Sequence, residues 1–424
     1  MHAGLWRNSR SRRFTLRHNV RVRTLSHFWM RGSRIAPSAA FSMSDSIFAA
    51  FSEQALPTWK RAVLKVGSSL LAAPGGGLTP RHALAMAQWV SANVQAGREV
   101  VIVSSGAVAA GRGILPKAAE AGAAMAARQA LAALGQAQLI GLWQRFFERP
   151  VAQVLLTHDD LRNRRRYLNA RATLLELLAL QTLPIVNEND TVSVDELKLG
   201  DNDNLAAFVA TLIDADVLFI ASDVAGLYSA NPRTDATARP IDEVAHIDDA
   251  VLAMAGGIGS AVGTGGMLTK LQAASKAATA GIETVLFDGT SADALRLMGQ
   301  GLLRGTRFRA GSTRLAARKH WLRHAPLAPG VILVDDGAAR ALKEKGASLL
   351  PGGVLDAQGD FARGDIIEIR HASEQGAQVI GRGIVQYSAR DIRRIARRHS
   401  RDIDAILGYN YGETVVHRDD LATL

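Results

Sequence analysis

The chain contains no cysteine, and this absence excludes a disulfide framework and a thiolate metal site. Aromatic residues make up only 5% of the chain. No apolar run reaches the length of about 18 residues that a membrane-spanning helix requires, so the sequence predicts no membrane partner. At 424 residues the chain is long enough for two domains with a sizeable core.

Acidic residues are missing from residues 1–44, which hold nine arginines and no lysine. The net charge of the whole chain is +11, so the remainder is nearly neutral. An arginine-rich, acid-free start resembles an organelle transit peptide, and a start of translation at Met43 is the alternative. We favour Met43 and exclude the basic segment before it from the fold prediction, and we predict residues 1–57 as a disordered basic extension.

From residue 60 onwards, short apolar runs alternate with longer amphipathic ones. The predicted strands are RAVLKV, EVVIVSS, VAQVLLT, LPIVNEND, DVLFIASD and ETVLF. The predicted helices span residues 79–96, 118–134, 136–148, 167–181, 203–213 and 268–280. Alternation of this kind predicts an α/β fold with right-handed crossovers and a mostly parallel sheet covered on both faces. Ligands of such sheets bind beyond the carboxyl ends of the strands.

The pattern changes after residue 325, where short strands, one helix and many glycine, proline and aspartate turns follow at close spacing. This pattern of short strands and turns predicts a small β-rich domain. We expect a catalytic domain over residues 58–318, a linker over 319–328, the β-rich domain over 329–410 and a tail over 411–424.

Two glycine-containing stretches are candidates for phosphate binding. In VLKVGSSLL, Lys65 ends the first strand and precedes Gly67, whose small size lets backbone N–H groups approach an anion. In the stretch 256–281, a glycine-rich loop reaches a helix through Thr264, Gly265 and Gly266, with Lys270 in its first turn or so. Loop, helix dipole and lysine together favour a polyphosphate ligand, although neither the Walker nor the dinucleotide pattern is present. An ordinary turn and a flexible hinge are the alternatives.

Three other strand or helix ends are rich in small polar side chains. VSSGAVAAG supplies Ser105 and the N–H of Gly106, which suit a carboxylate. NENDTV supplies Asp190 and its neighbours, and GDNDN supplies Asn202 and Asp203 at the start of a helix. Such a wall of acids and amides can hold an ammonium group, orient a lysine or help position Mg²⁺ with its waters. Taken singly, each stretch is more typical of a turn or a helix cap.

ARDIRRIARRHSRDIDAIL places six arginines at helical spacing, which would form a basic stripe if one helix spans them. They are Arg390, Arg393, Arg394, Arg397, Arg398 and Arg401. Contact with nucleic acid is one interpretation, and a solvated helix face is the commoner one.

The stretches VLKVGSSLL, IVSSGAVAAGR, LNARATL, IVNENDTV, LGDNDNLAA, ASDVAGLYSANPR and GTGGMLTKLQAA occur in the order and spacing of the amino-acid kinase family. The resemblance is to the branch that phosphorylates the γ-carboxylate of L-glutamate. The C-terminal part resembles a PUA domain, a module of many bacterial members, through GASLLPGG and IDAILGY.

The resemblance implies an αβα sandwich and a reaction of L-glutamate with ATP and Mg²⁺ that yields L-glutamyl 5-phosphate for proline biosynthesis. By motif position, Lys65, Lys270 and Asp203 are implied to be catalytic, with Asp203 organising the two lysines. Ser105, Gly106, Asp190 and Asn202 are implied to bind glutamate. The residues implied to bind ATP are Lys65, Gly67, Ser222, Asp223, Thr264, Gly265, Gly266, Met267, Leu268, Thr269 and Lys270.

The resemblance also implies feedback inhibition by proline, a homodimer or homotetramer, a cytoplasmic location, and glutamyl-phosphate reductase and RNA as candidate partners. Alternatives within the same fold are kinases of acetylglutamate, aspartate, carbamate or uridylate. The acid-rich wall argues against a nucleotide acceptor, because it would repel a phosphate. An RNA-associated protein that acts through its C-terminal domain is the alternative outside enzymes.

Overall fold

The computed structural model describes residues 51–116, 125–157, 159–160, 163–192, 202–232, 234–255, 266–311, 313–324, 327–373 and 376–424. The strands of the N-terminal part are β1 (Gln54–Ala55), β2 (Arg61–Val66), β3 (Glu99–Ser104), β4 (Val151–Leu156), β5 (Leu183–Glu188), β6 (Val217–Ser222), β7 (Leu227–Tyr228), β8 (Pro240–Ile241), β9 (Glu243–Val244), β10 (Glu283–Asp288), β11 (Leu302–Leu303) and β12 (Gly305–Phe308).

Helices separate most of these strands. They are α1 (Ser68–Leu71), α2 (Ala83–Gln95), α3 (Ala107–Ile114), α4 (Met125–Gln144), α5 (Arg164–Ala179), α6 (Asn202–Leu212), α7 (Asp249–Ala253), α8 (Met267–Thr279), α9 (Ala292–Gly299) and α10 (Arg314–His324). All six predicted strands are present, and the predicted α/β alternation is therefore confirmed over this part of the chain.

Eight strands form the main sheet in the order β4-β5-β3-β2-β6-β10-β12-β9. The six strands that the sequence predicts run parallel to one another, whereas β12 pairs antiparallel with β10 at one edge. The edge strands β12 and β9 were not predicted, because strands of four and two residues are too short to show an alternation of apolar and polar residues. A mostly parallel sheet with helices on both faces is nevertheless confirmed.

Alternation along β2 assigns its side chains to the two faces of the sheet. Leu64 and Val66 join the apolar cluster that contains α2 and α4, and Val63 joins the cluster that contains α6 and α8. Successive strand residues point to opposite faces. Lys65, two positions after Val63, therefore lies on the face that α6 and α8 cover.

One helix replaces two that the sequence predicts. Residues 118–134 and 136–148 were predicted as separate helices with a break at Gly135, but α4 runs through this glycine without interruption. A Cβ atom at position 135 would lie 1.8 Å from the carbonyl oxygen of Ala107. Gly135 thus allows α4 to contact the backbone of α3 and does not end the helix. Residues 118–124 of the first prediction lie outside the described residues.

The C-terminal part forms a second sheet in the order β14-β13-β15-β16-β17. Its elements are β13 (Gly330–Val334), α11 (Asp336–Lys345), β14 (Val354–Gly359), β15 (Ile366–Ser373), β16 (Gly376–Val385), α12 (Ala389–Ile395), α13 (Ile403–Leu407) and β17 (Val416–Thr423). The predicted tail differs from the structure, since β17 pairs antiparallel with β16 and buries Leu421. The predicted linker differs as well, because α10 extends to His324 and buries Leu322.

The arginine stripe does not form, because its helix ends at Ile395. Arg397 has a left-handed backbone (φ 59°), and a 3₁₀ turn at Ser400–Asp402 precedes α13. Two of the arginines instead donate to backbone carbonyls, Arg393 to Ala357 at 2.7 Å and Arg394 to Ile406. The interpretation as a continuous basic helix face is therefore wrong.

Both sheets belong to one compact unit, from Ile47 to Leu424. Apolar side chains from the two parts meet in a buried cluster of Leu168, Leu322, Ile366, Ile384 and Ala422. Within the described residues, no helix is both long enough and apolar enough to cross a membrane.

Candidate active site

Two lysines and one aspartate form a buried ion cluster at the carboxyl end of β2. Asp203 pairs with Lys65 through one carboxylate oxygen, and its other oxygen lies 3.3 Å from the Nζ of Lys270. Asp203 is 0% exposed, Lys65 4% and Lys270 6%. A buried charge is costly unless it is paired, and here two ammonium groups share one carboxylate. The cluster therefore carries a net positive charge, which suits an anionic ligand.

Three elements bring this cluster together. β2 supplies Lys65 on the face that α6 and α8 cover, the first turn of α6 supplies Asp203, and the first turn of α8 supplies Lys270. Leu205, Ala206, Ala207, Val209, Ala210 and Leu212 of α6 are buried. A helix that is apolar around most of its circumference packs inside the molecule, and this packing fixes Asp203 beneath the strand ends.

The start of α8 adds further polar groups. The Thr269 hydroxyl lies 3.0 Å from Asp203 Oδ2 and 2.8 Å from the carbonyl oxygen of Gly266. Gly266 is the N-cap of α8 and makes no side-chain cap hydrogen bond. The first N–H groups and the dipole of α8 therefore favour a negative charge at this end of the helix. A Cβ at Gly67 would lie 3.6 Å from Lys65 Nζ, so this glycine leaves space beside the ammonium group.

A second set of polar groups lies at the ends of β3 and β5. The Asn202 amide nitrogen donates to Ser105 Oγ at 2.7 Å and to Asn187 Oδ1 at 2.9 Å. Asn187 in turn donates to Gln136 Oε1 at 3.0 Å. Since Asn202 and Asp203 are consecutive, this amide cluster lies directly beside the lysine cluster.

The backbone at the end of β3 is held firmly. Ser105 N donates to the carbonyl oxygen of Val66 at 3.0 Å, and Trp143 Nε1 donates to Ser104 Oγ at 2.9 Å. Gly106, the N-cap of α3, has φ 115°, a backbone conformation that glycine adopts without strain. The N–H groups that begin α3 therefore start next to Ser105, as a carboxylate site requires.

The remaining predicted residues lie around these two clusters. Ser222 ends β6, the strand next to β2, and its hydroxyl lies 3.3 Å from Asp223 Oδ1. Asp190 follows the end of β5, and Met267 and Leu268 begin α8, with Leu268 exposed. The predicted ATP-binding residues Thr264 and Gly265 lie outside the described residues, as does Asp201.

Sequence reasoning missed Gln136 and the Trp143 contact. Gln136 lies in the middle of α4 and Trp143 near its C-terminal end, and neither position follows a strand end or begins a helix. Gln136 is one of four glutamines in α4, and the only available signal was that the helical period places it on the buried side with Ala132 and Leu139. Asn187 was noted within NENDTV but not selected as a site residue.

The described residues contain no group of three or more histidine, aspartate or glutamate side chains that could hold a metal ion. A magnesium ion brought by a nucleotide does not need such a group, because it keeps several waters and binds phosphate oxygens with one or two carboxylates. The donor set near the clusters, with Glu188 and Asp190 at the end of β5, fits that mode of binding.

One buried lysine at a strand end and a second in the first turn of a helix share one buried aspartate, and this arrangement beyond the strand ends of a parallel sheet is typical of a phosphotransferase site. The model of the amino acid kinase family matches residues 60–288, and that of the PUA domain matches residues 330–407. The chain belongs to the amino acid kinase family. Membership of a kinase family implies the use of ATP.

Close relatives cover most of the chain. Glutamate 5-kinase of Xanthomonas campestris pv. campestris (strain 8004) is 73% identical over 362 residues, which cover 85% of this chain and 100% of that protein. Glutamate 5-kinase of Xylella fastidiosa (strain M23) is 67% identical over 375 residues, 88% of this chain and 98% of that protein. The solved UMP kinase of Bacillus anthracis is 17% identical, with a TM-score of 0.43, and covers 60% of this chain and 98% of that one.

Proposed function

We propose that the chain phosphorylates the γ-carboxylate of L-glutamate with ATP and forms L-glutamyl 5-phosphate, the first step of proline biosynthesis. The observation that carries the proposal is the buried Lys65–Asp203–Lys270 cluster next to the amide cluster of Ser105 and Asn202. The relatives at 67% and 73% identity are glutamate 5-kinases, which supports glutamate as the acceptor.

The reaction needs charge stabilisation and alignment more than proton transfer. A γ-carboxylate oxygen of glutamate attacks the terminal phosphorus of ATP, and the bond from that phosphorus to the bridging oxygen breaks, so ADP leaves with the electron pair. The attacking group is already an anion and requires no general base. Lys65 and Lys270 neutralise charge on the transferred phosphoryl group, and Asp203 holds their ammonium groups in position.

Glutamate binding is assigned to the amide cluster and its neighbours. The Ser105 hydroxyl and the first N–H groups after Gly106 suit a carboxylate of the substrate. Asp190 and Asn202 provide oxygen acceptors for the α-ammonium group. These oxygen atoms support a free amino acid as the substrate that receives the phosphoryl group. They argue against a nucleoside monophosphate, because the carboxylate of Asp190 would repel its phosphate.

ATP is assigned to the start of α8 and to the end of β6. The phosphates would lie over Gly67, Gly266 and the first turn of α8, within reach of both lysines, and Ser222 and Asp223 would contact the nucleoside part. Thr264 and Gly265 belong to the same assignment by motif position. Mg²⁺ would supply additional positive charge at the phosphates when bound, and Asp190 or Glu188 would help to hold it.

The test is ADP release by the purified full chain with MgATP and each of four acceptors, L-glutamate, N-acetylglutamate, L-aspartate and UMP. We expect turnover with glutamate at least about 10²-fold above the other three, the scale at which a site built to pair a polar group rejects analogues. Detection of hydroxamate after addition of hydroxylamine would identify an acyl phosphate product. Turnover with UMP or N-acetylglutamate in preference to glutamate would replace the proposal with another kinase of the same fold.

Further properties are proposed on the resemblance alone. Proline would inhibit by competition around the glutamate site, the chain would assemble as a homodimer or homotetramer in the cytoplasm, and glutamyl-phosphate reductase would receive the product. Glutamate titrations at several proline concentrations test the first, since a competitor raises KM and leaves kcat unchanged. Light scattering of the full chain tests the second.

RNA binding by the C-terminal domain is proposed as an accessory role. Its support is an exposed aromatic pair, Tyr409 and Tyr411 with ring centroids 5.2 Å apart, beside the guanidinium of Arg363, 3.8 Å from the Tyr411 ring centre. Aromatic faces with a neighbouring arginine can stack on unpaired bases. Salt-dependent retention of single-stranded RNA by the full chain, lost in Tyr411→Ala, is the expected result, and no retention at moderate salt would dismiss the role.

A further inference from the structure

A short hydrogen-bond chain lies behind the turn that joins β3 to α3. Trp143 Nε1 donates to Ser104 Oγ at 2.9 Å, and Ser104 Oγ donates to the carbonyl oxygen of Ser105 at 3.0 Å. An indole N–H can only donate and a carbonyl oxygen can only accept, so the hydroxyl between them accepts from the one and donates to the other. The direction of these bonds is therefore fixed by chemistry. We name them the indole chain: Trp143, Ser104 and the carbonyl group of Ser105.

The indole chain determines how the peptide group between Ser105 and Gly106 is turned. Trp143 and Ser104 are both 0% exposed, so the carbonyl oxygen that Ser104 holds points toward the protein interior. This peptide bond is trans. In a planar trans peptide the C=O and the N–H point in opposite directions. The Gly106 N–H therefore points away from Trp143 and Ser104.

The N–H of Gly106 makes no hydrogen bond with the residues that the structure describes. Gly106 is nevertheless a buried residue. Buried backbone N–H groups without a partner are rare in folded proteins, because each costs about as much as a lost hydrogen bond. The adjacent side chain, that of Ser105, bonds Asn202 in the amide cluster. The N–H of Gly106 thus lies beside the proposed substrate site and can bond an acceptor that a ligand supplies.

Glycine at this position permits two orientations of the peptide group. Gly106 has φ 115°, and glycine adopts positive and negative φ about equally readily. Rotation of the peptide by half a turn would direct the Ser105 carbonyl oxygen toward the ligand, and this oxygen would repel a carboxylate. Local backbone preference does not select between the two orientations. A contact from outside the turn must therefore hold the carbonyl oxygen, and the indole chain supplies it.

One side of α4 supports the turn along its length. Gly135, Leu139 and Trp143 follow one another at intervals of four residues, so they lie on the same side of the helix. A Cβ at Gly135 would lie 1.8 Å from the carbonyl oxygen of Ala107, and a Cβ at Gly106 would lie 3.6 Å from a methyl group of Leu139. Close packing at the first two positions holds α4 in place. Loss of the indole N–H alone should therefore leave the helix where it is.

We propose that Trp143 is a positioning residue which, through Ser104, turns the Gly106 N–H toward a carboxylate of the substrate. The inference rests on the proposed function, since it names how that site recognises glutamate. Trp143 acts through Ser104 and the Ser105 carbonyl, so it contributes to the binding of glutamate without touching it. ATP is assigned to the ends of β2 and β6 and to the start of α8, so its binding does not depend on the indole chain.

The test combines substitutions at both ends of the indole chain. Trp143→Phe removes the N–H and keeps an aromatic ring, Ser104→Ala removes the hydroxyl, and Ser104→Thr keeps it. Trp89→Phe is the matched control, because Trp89 is only 5% exposed and its Nε1 has no hydrogen-bond partner among the described residues. KM for glutamate and KM for ATP are measured from ADP release by each full-length variant and by the double variant Trp143→Phe/Ser104→Ala. Circular dichroism first establishes that each variant is folded.

We expect Trp143→Phe and Ser104→Ala each to raise KM for glutamate about five- to tenfold, the scale of one lost hydrogen bond, with KM for ATP within about twofold of the wild type. Ser104→Thr should stay within about threefold, which allows for the added methyl group, and Trp89→Phe should stay within the same limit. The double variant should be at most about twofold worse than the worse single variant, because both substitutions break the same chain.

Unchanged KM for glutamate in Ser104→Ala would overturn the inference, and so would equal rises in KM for glutamate and for ATP. A Ser104→Thr protein as defective as Ser104→Ala, a Trp89→Phe protein as defective as Trp143→Phe, or a double variant whose effect is the product of the single effects would have the same meaning. If Trp143→Phe fails to fold, the comparison of Ser104→Ala with Ser104→Thr decides by itself. A wild-type chain that does not turn over glutamate would instead contradict the proposed function, so the two failures are distinguished.

Discussion

At the scale of single residues, the site depends on one carboxylate shared by two ammonium groups. Asp203 has no exposed surface, and neither lysine is more than 6% exposed. In such surroundings opposite charges attract more strongly than in water, and an unpaired charge is correspondingly costly. Under the proposed function, a phosphate of ATP would add negative charge next to the two ammonium groups that share Asp203.

Replacement of Lys270 tests whether this lysine acts in catalysis and is not needed for folding. We expect Lys270→Ala to retain the fold, since Asp203 keeps Lys65 as a partner, and to lower kcat about 10²-fold, the scale of losing one transition-state charge contact. Lys276→Ala is the matched control, because Lys276 lies on the same helix and bonds Asn204 at 2.7 Å. Steady-state ADP release measures both. Near-normal kcat in Lys270→Ala would remove it from the catalytic assignment.

Replacement of Asn202 separates substrate binding from phosphoryl transfer. We expect Asn202→Ala to raise KM for glutamate about tenfold or more while KM for ATP stays within about twofold, because Asn202 bonds Ser105 and Asn187 and touches neither lysine in the described contacts. Glutamate and ATP titrations of the same protein give the two constants. A larger change in KM for ATP than in KM for glutamate would place Asn202 at the nucleotide.

The residues that sequence reasoning selected share a simple property. Lys65, Ser105 and Asp203 stand at a strand end or a helix start, where a parallel sheet gathers its ligand groups, so position along the chain predicts position in space. Gln136 stands in the middle of a helix, and only packing against a distant strand end brings it to Asn187. No local pattern encodes that packing, which is why this part of the site could not be predicted.

At the scale of elements, α4 shows both what a pattern predicts and where it misleads. Its helical period was predicted, but its glycine was interpreted as a break. Two glycines of α4 have opposite surroundings. A Cβ at Gly135 would lie 1.8 Å from Ala107 O and 2.5 Å from Gly111 N, whereas a Cβ at Gly141 would meet nothing within 4 Å. From the sequence alone, Gly135 and Gly141 cannot be told apart, because the atoms that lie close to Gly135 belong to another helix, α3.

Alanine at these two positions should therefore have opposite effects on the free energy of unfolding. We expect Gly135→Ala to destabilise by about 3 kcal/mol, since backbone atoms of α3 cannot move aside easily. Gly141→Ala should stabilise by about 0.5–1 kcal/mol, because it raises helix propensity at an exposed position. Urea denaturation followed by circular dichroism measures both. Equal effects would mean that α4 does not approach α3 as described.

At the scale of the whole molecule, the two sheets are joined by charge as well as by the apolar cluster. Arg318 of α10 lies 2.9 Å from Asp214, which follows α6, and also pairs with Asp420 of β17. Burial by itself lowers the pKa of the Arg318 guanidinium, but the carboxylates of Asp420 and Asp214 outweigh burial and the pKa is raised. The two carboxylates thus favour the charged form of Arg318 at the junction.

The contacts around Asp214 connect this junction to the active site. Arg171 of α5 donates to the carbonyl oxygen of Leu212 and pairs with Asp214 at 2.6 Å. Cations at a helix C-terminus complement its dipole, so Arg171 and Arg318 stabilise the far end of the helix whose first turn carries Asp203. Patterns of apolar residues predict the two sheets, but this junction joins residues 41 to 104 positions apart in the chain, and such pairs have no signature in one sequence.

Asp420→Asn tests the junction without changing the size of the side chain. Arg318 would keep Asp214 but lose the charge of a partner that is only 7% exposed, and we expect the free energy of unfolding to fall by about 2 kcal/mol, somewhat below the loss of a fully buried pair. Asp419→Asn, at an exposed neighbour of Asp420 on β17, is the control and should change stability by less than about 0.5 kcal/mol. Urea denaturation of the full chain at neutral pH, followed by Trp fluorescence and by circular dichroism, gives both values. Equal losses of stability in Asp420→Asn and Asp419→Asn would mean that the Arg318–Asp420 ion pair does not stabilise the contact between the two sheets. The packing of β17 against α10 would then depend on the apolar cluster.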